Sequence, residues 1–377
     1  MSLTFRLASR NLFQDRLRFT ATVVGIVFSI ILVTVQMGLF LSFERMVTTM
    51  IDHASADLWI VPIGTKCFED PSLLDETDRA HALSVHGVTD AVPVVIGFTE
   101  WKVPSGGTTP VFIIGSNTNT AGLHPWNVVQ GNLDALSTPH AVAIDQTYFA
   151  RLGITRIGDS TEIRDQKAQV LAITNGIRSF TTTPYVFTAL DHAQSFMGTS
   201  RNRVSYFLVH VAPGTDIAAV RGELLANLSK VEVLTPDEFR TRSRAFWLLG
   251  TGAGAALFAG ALLGVIVGTV IVAQTLYSST KDHLSEFATL RAMGSSGAYI
   301  HKVIIYQALL SAVIGFFLAA CVGLVIVEAT AETALPIVMT PLLTLALFLL
   351  TVLMCVASAV AAIVQVMRID LSRVFRQ

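Results

Sequence analysis

The sequence predicts an α+β membrane protein: four transmembrane helices, with a large α+β domain on a helical stalk inserted between helices 1 and 2. Three observations carry this. The 377 residues are 52% hydrophobic and 14% charged, with a mean hydropathy of +0.59, whereas a soluble globular chain holds about 25% charged residues. Four apolar runs, 19–43, 246–276, 303–327 and 341–367, each supply the roughly 20 residues that cross a hydrocarbon core of about 30 Å. The stretch between the first and second runs, 44–245, has the composition of an ordinary soluble domain.

Charge sets the expected orientation. The formal net charge is −1, but segment 44–245 holds 16 Lys+Arg against 21 Asp+Glu. The short flanks are basic: Arg6, Arg10, Arg16 and Arg18 at the start, Lys281, Arg291 and Lys302 in 277–302, and Arg368, Arg373 and Arg376 in the tail. The loop 328–340 carries Glu328 and Glu332 and no Lys or Arg. Lys and Arg stay on the cytoplasmic side. Both termini and 277–302 are therefore expected inside, the large domain and 328–340 outside.

Residues 1–18 alternate apolar and basic side chains over 3–12 and read as an amphipathic helix on the inner lipid surface. Residues 19–50 form the first span and its outward extension. Ala54-Ser55-Ala56 resembles a leader cleavage site, but the apolar run is too long for a signal segment, so an uncleaved span is expected. The domain 51–239 shows strand patterns at 57–62, 91–103, 109–115, 140–144, 161–164, 168–174, 184–188 and 204–211. Helical patterns fall at 75–84, 145–152, 190–197 and 216–229, which predicts an α+β domain in two lobes. Residues 240–276 read as one long helix, stalk and second span together, of about 60 Å when the pattern is followed from 240 to 280. Gly250/Gly254, Gly260/Gly264 and Gly264/Gly268 place small residues four apart, the spacing that lets helix backbones approach in lipid. Gly260, Gly264 and Gly268 are therefore candidates for dimer or helix packing. Residues 303–327 and 341–367 are the third and fourth spans, the latter starting at Pro341, and 368–377 is a short basic tail.

Several chemistries are excluded by pattern. No phosphate-binding G-x-x-x-x-G-K-[ST] loop, no G-x-S-x-G elbow and no paired-histidine zinc motif is present. The three cysteines leave Cys67 alone in the inserted domain, so no disulfide forms within it. Spans three and four hold no Asp, Glu, Lys, Arg or His, where an ion-driven carrier places such groups. No cofactor, metal, catalytic site or nucleic-acid surface is expected.

What remains is a charged island, 277–302. Leu284, Phe287 and Ala288 fall at i, i+3 and i+4, and Leu290 and Met293 extend the stripe. Lys281, Asp282, Ser285, Glu286 and Arg291 occupy the other face, and Gly294 suits the helix end. Such a helix either lies on lipid or plugs its apolar face into a soluble partner.

Glu286-Phe-Ala-Thr-Leu-Arg-Ala-Met-Gly294 resembles the E-x-x-x-L-R-A-[LM]-G coupling segment of the MacB/FtsX (type VII) class of ABC transporter permeases. Leu7-Ala-Ser-Arg-Asn-Leu12 is similar to the L-x-x-R-N-L segment before that class's first span. Asp370-Leu-Ser-Arg-Val-Phe-Arg376 is similar to its D-P-x-x-x-[LF]-R tail, with Leu371 in place of Pro. Gly97-Phe-Thr-Glu-Trp-Lys-Val-Pro104 and Asp57-Leu-Trp-Ile-Val-Pro62 resemble segments of DevC-like permeases within the class. The resemblance implies a homodimer in a bacterial inner membrane, a periplasmic inserted domain, and a separate ABC ATPase subunit engaged by Leu284, Glu286, Phe287, Leu290, Arg291, Met293 and Gly294. It implies an exporter of a hydrophobic or amphipathic substrate driven by mechanotransmission. A periplasmic membrane-fusion protein and an outer-membrane duct are further implied partners. The alternative is an FtsX-like regulator that controls a periplasmic partner without transporting.

Overall fold

The computed structural model of the chain describes residues 14, 16–70, 72–117, 122–282 and 297–367. In chain order its main elements are α1 (Arg16–Asp52), β1 (Leu58–Pro62), β2 (Leu74–Asp75), α2 (Asp78–Leu83), β3 (Val88–Lys102), β4 (Thr108–Ser116) and β5 (Val128–Gly131). Next come β6 (Ala141–Asp145), α3 (Phe149–Leu152), β7 (Ser160–Ile163), β8 (Gln166–Thr174), β9 (Tyr185–Ala189) and α4 (Leu190–Met197). These are followed by β10 (Arg203–Val204), β11 (Tyr206–Val211), α5 (Ile217–Asn227), β12 (Val231–Leu234) and α6 (Pro236–Arg244). The chain finishes with a π-turn (Ala245–Gly250), α7 (Ala253–Asp282), α8 (Gly297–Thr330) and α9 (Pro341–Met367).

Two compact units emerge. One contains residues 1–41, 255–331 and 336–377, and the other 42–254 with 332–335. Four helices are long and apolar enough to cross a membrane: Phe19–Asp52, Ala253–Ser278, His301–Thr330 and Pro341–Val364. The first unit packs them around small and aliphatic side chains, among them Ile26, Ile30 and Val33 of α1, Val272 of α7, Ala308 and Ala312 of α8, and Ala359 and Ala362 of α9. Large apolar side chains such as Phe258, Leu262, Phe317, Leu324, Leu342 and Leu353 point outward, as expected when lipid replaces water.

The second unit is built on one ten-stranded sheet in the order β12-β1-β11-β3-β4-β9-β6-β8-β5. The two lobes share β3. Its first half, to Val94, pairs with β11, and its second half, from Val94 to Lys102, pairs with β4. Beyond that point β7 pairs both with β8 and, at Trp101↔Ile163, with β3. Strands β3, β4, β9, β6, β8 and β7 thus close a ring. Every ring strand contributes to one buried cluster that includes Val95, Trp101, Val111, Ile113, Val142, Ile163, Val170 and Val186. Arg164 and Asp165, both at positive φ, make the two-residue turn between β7 and β8. In the other lobe α2 and α5 cover β1, β3 and β11 through Ala82, Val220, Leu224, Ile60, Ala91 and Phe207.

The predicted strands and helices of this domain recur within a few residues. The predicted uninterrupted helix from 240 to 280 does not: α6 ends at Arg244, a π-turn follows, and Gly252 takes φ +77° before α7 begins. Glycine lowers helix stability by about 1 kcal/mol and enters left-handed backbone freely. The run Gly250-Thr-Gly-Ala-Gly254 therefore breaks the helix, with Gly250 ending the π-turn and Gly254 in the first turn of α7.

Candidate functional site: the root of the inserted domain

The predicted coupling residues Leu284, Glu286, Phe287, Leu290, Arg291, Met293 and Gly294 lie outside the described residues, as do the 1–13 segment and the 368–377 tail. What the structure does describe is the glycine stripe and the place where two helices enter the inserted domain.

The stripe faces α1 of the same chain. A Cβ on Gly260 would come 2.7 Å from the Gln36 side chain, one on Gly264 3.0 Å from Val33, and one on Gly268 2.1 Å from Ser29 Oγ and 2.9 Å from Met354 Sδ. Ser29 Oγ donates to Gly264 O at 2.6 Å, and Ser358 Oγ donates to Thr269 O at 2.9 Å. Hydroxyl-to-carbonyl bonds of this kind hold helices where water is absent.

At the root, residues from Ser42 onward in α1 belong to the inserted domain. Met50 and Ile51 bury beneath the sheet beside Trp59, Phe68, Tyr206 and Phe239. Trp59 meets Phe239 edge-on at 5.2 Å and Tyr206 at 5.9 Å between ring centroids. α6 arrives on the same cluster through Phe239. Its start is well specified: Thr235 and Glu238 form a reciprocal capping box and Pro236 takes the first turn.

Charges then tie α1 to α6. Arg240 bridges Asp52 and Asp237, Arg244 faces Glu44 at 3.7 Å, and Thr48 Oγ1 donates to Asp52 Oδ2 at 2.8 Å. Arg242 donates to Glu232 at 2.7 Å and to Thr65 O at 3.1 Å. Its hydrogen bond holds the Glu232 carboxyl below the usual carboxylate range. The π-turn sits next to this lattice. Thr251 N reaches back to Phe246 O at 3.0 Å, and Trp247 packs on Phe180 at 4.7 Å. The Trp247 indole N–H donates to Glu69 Oε2 at 3.0 Å.

Sequence reasoning did not find Glu69, Trp247, Asp52 or Arg240. Glu69 and Trp247 are 178 residues apart and Asp52 and Arg240 are 188 apart, so no local spacing signals either pair. Among the described residues no group of three or more His, Cys, Asp or Glu is placed to hold a metal. A groove of about 1250 Å³ lies between the β3–β4 and β7–β8 hairpins. Its charges balance, with Lys102 paired to Glu162 at 2.6 Å and Arg164 beside Asp165. The root therefore offers firm attachment, with no catalytic constellation at the contacts described.

Comparison with known proteins agrees with this organisation. Residues 19–227 match the MacB-like periplasmic core domain, and residues 245–371 match the FtsX-like permease C-terminal region. Over 219 residues the chain is 24% identical to an uncharacterized ABC transporter permease of Methanocaldococcus jannaschii. That match covers 54% of this chain and 57% of the relative, so it spans little more than half the relative's length. The periplasmic region of MacB from Actinobacillus actinomycetemcomitans aligns with a TM-score of 0.39 at 10% identity, covering 51% of this chain and 94% of that one. The extracellular domain of the noncanonic ABC-type transporter YknZ from Gram-positive bacteria aligns with a TM-score of 0.37 at 14% identity, covering 48% and 99%. With four apolar helices, an α+β domain inserted after the first, and the core-domain match extending over more than half its residues, this chain is a multi-pass membrane protein with a periplasmic domain and belongs to the MacB/FtsX-like permease family.

Proposed function

We propose that this permease is the membrane subunit of an ABC exporter that moves its periplasmic domain mechanically to expel a hydrophobic or amphipathic substrate. The observation that carries the reading is α1. It runs unbroken for 37 residues, and its last turns are fixed to the periplasmic domain by Asp52–Arg240, Glu44–Arg244 and the burial of Met50 and Ile51. A displacement of that helix carries the domain with it. Residues 303–327 and 341–367 of spans three and four hold no Asp, Glu, Lys, Arg or His for ion coupling, which favours energy entering from a separate ABC ATPase subunit. The cytoplasmic segment 277–302 receives it, through the apolar face of Leu284, Phe287, Leu290 and Met293, with Glu286 and Arg291 at the rim and Gly294 closing the helix. The active unit is a homodimer in the inner membrane with both termini in the cytoplasm, working with a periplasmic membrane-fusion protein and an outer-membrane duct.

Co-purification with the ATPase tests this. Burying a Phe contributes about 1.5–3 kcal/mol, so Phe287→Ala should weaken the complex roughly tenfold or more, and Leu290→Ala should do likewise. Undiminished co-purification with coupled ATPase activity overturns the assignment of 277–302. Cysteine labelling from outside should reach Ser105 and Ala331 variants and leave Ser295 and Ser372 variants unlabelled; labelling of Ser295 in intact cells overturns the orientation. An intact complex whose periplasmic domain activates a partner, with no substrate leaving reconstituted vesicles, selects a regulator over an exporter.

A further inference from the structure

Glu69 is a buried carboxyl that the proposed transport mechanism does not use. It follows β1 in the loop 63–70 and is 7% exposed. Its one direct polar contact with the π-turn is the bond from Trp247, and Trp247 is itself held among Phe43, Met46, Val47 and Phe180. The groups that face Glu69 are for the most part neutral hydroxyl and thiol groups. Cys67 and Asp70 share its loop, Tyr185 approaches from β9, and Tyr206 approaches from β11. Tyr206 Oη already donates to Phe68 O at 2.8 Å.

Of the cations on neighbouring elements, Lys66 is exposed, Arg242 is bonded to Glu232 and Thr65, and Arg244 faces Glu44, while Arg178 keeps a buried Nε with no hydrogen-bond partner. A carboxylate in this chamber has the Trp247 indole N–H, its own backbone N–H and the Cys67 and Tyr185 side chains as donors, but burial outweighs them all. A neutral carboxyl keeps the indole bond on its carbonyl oxygen and avoids the cost of a buried charge.

We propose that Glu69 is a proton-operated latch for the turn Ala245–Gly250: neutral, its carboxyl stays in the chamber and seats Trp247; ionised, it leaves for water and releases Trp247 and the turn. The proton passes to solvent. Burial pushes the Glu69 carboxyl up from 4.5 to about 7, against the opposing pull of the Trp247 bond and of its backbone N–H, Cys67 and Tyr185, so the latch operates near neutral pH. Its ionisation also raises the Cys67 thiol, which burial chiefly pushes to about 12. The two residues that follow the turn, Thr251 and left-handed Gly252, give the freed segment room to rotate its backbone. The latch rests on contacts within the periplasmic domain and does not depend on an ATPase partner.

The test uses the full-length protein in lipid nanodiscs. Acrylamide quenching of Trp247, taken as the difference between wild type and Trp247→Phe, should increase severalfold as pH rises through about 7. Glu69→Gln, which keeps the acceptor oxygen and cannot ionise, should stay protected throughout. The infrared band of a protonated, buried carboxyl should titrate over the same interval in unmodified protein, a readout that needs no variant. Quenching that is flat with pH, a Glu69→Gln protein that titrates like wild type, or an infrared spectrum with no protonated carboxyl above pH 6 overturns the latch.

Discussion

The two units of this permease achieve specificity in opposite ways. The periplasmic domain fills space: Trp59, Trp101, Phe68, Phe112, Phe196, Tyr185 and Tyr206 are all fully buried or nearly so. The membrane unit removes side chains: glycines 25, 260, 264, 268 and 315 each place backbone where a Cβ would meet the neighbouring helix. In water, burying large apolar groups drives assembly at about 25 cal/mol per Å². In lipid that gradient is absent, and close backbone approach with hydroxyl bonds takes its place. The substitutions that probe each unit therefore differ. Losing volume at these aromatics harms the first, and adding volume at these glycines harms the second.

Four measurements break or sharpen this contrast. The largest effect is expected at Trp59, which touches Phe68, Tyr206 and Phe239. Trp59→Ala should cost about 3–5 kcal/mol and sharply lower the thermal midpoint of the purified protein. A loss below 1 kcal/mol would show that the aromatic core does not determine the domain's stability.

Glu69 comes next. Its pKa rises on folding from 4.5 to about 7, so the unfolded chain releases this proton first. The closed state is most favoured at low pH and loses stability as pH rises between those values, by about 3 kcal/mol in the limit of full burial. Glu69→Gln should flatten that slope in a pH series of thermal midpoints, and an unchanged slope assigns it to other groups.

In the membrane unit, Gly268→Ala should cost about 1–3 kcal/mol, because Ser29 is held in place by its bond to Gly264 O. Gly260→Ala should cost less, since it meets the movable end of Gln36. Detergent-resistant folded protein after heating ranks the two, and the reverse ranking breaks the account of the stripe. The smallest effect belongs to the rim of the root. Arg240 and Asp52 are 29% and 40% exposed, and such pairs contribute about 0–1 kcal/mol. Arg240→Ala should barely move stability while loosening α1 from α6, visible as faster hydrogen exchange at the end of α1.

Much of the periplasmic domain was legible because its buried strands carry continuous or alternating apolar runs. β3, β4, β6, β8, β9 and β11 all lie within a few residues of their patterns, and the helix at 190–197 coincides with α4. β5 escaped because three of its four residues are exposed, and β12 (Val231–Leu234) was not among the predicted strands either. Ring closure rests on the single pair Trp101↔Ile163, which no local pattern encodes. The glycines of α7 were legible as a stripe, but its partner was not, because spacing identifies a face without saying what covers it. The root was illegible for a related reason: Asp52, Arg240, Glu69 and Trp247 become neighbours only after the whole domain intervenes.

β3 also has a mechanical meaning. One continuous strand is bonded to β11 along its first half and to β4 along its second. A tensile load along its axis stretches both ladders in shear, so their hydrogen bonds share the force instead of opening one by one. The two lobes are therefore tied both by this strand and by a buried cluster that holds Trp59 and Tyr206 of one beside Phe112 and Tyr185 of the other, and a force applied to one reaches the other with little slack. Any deformation that separates them must bend this strand near Val94, where it pairs with Tyr206 on one side and Ser116 on the other.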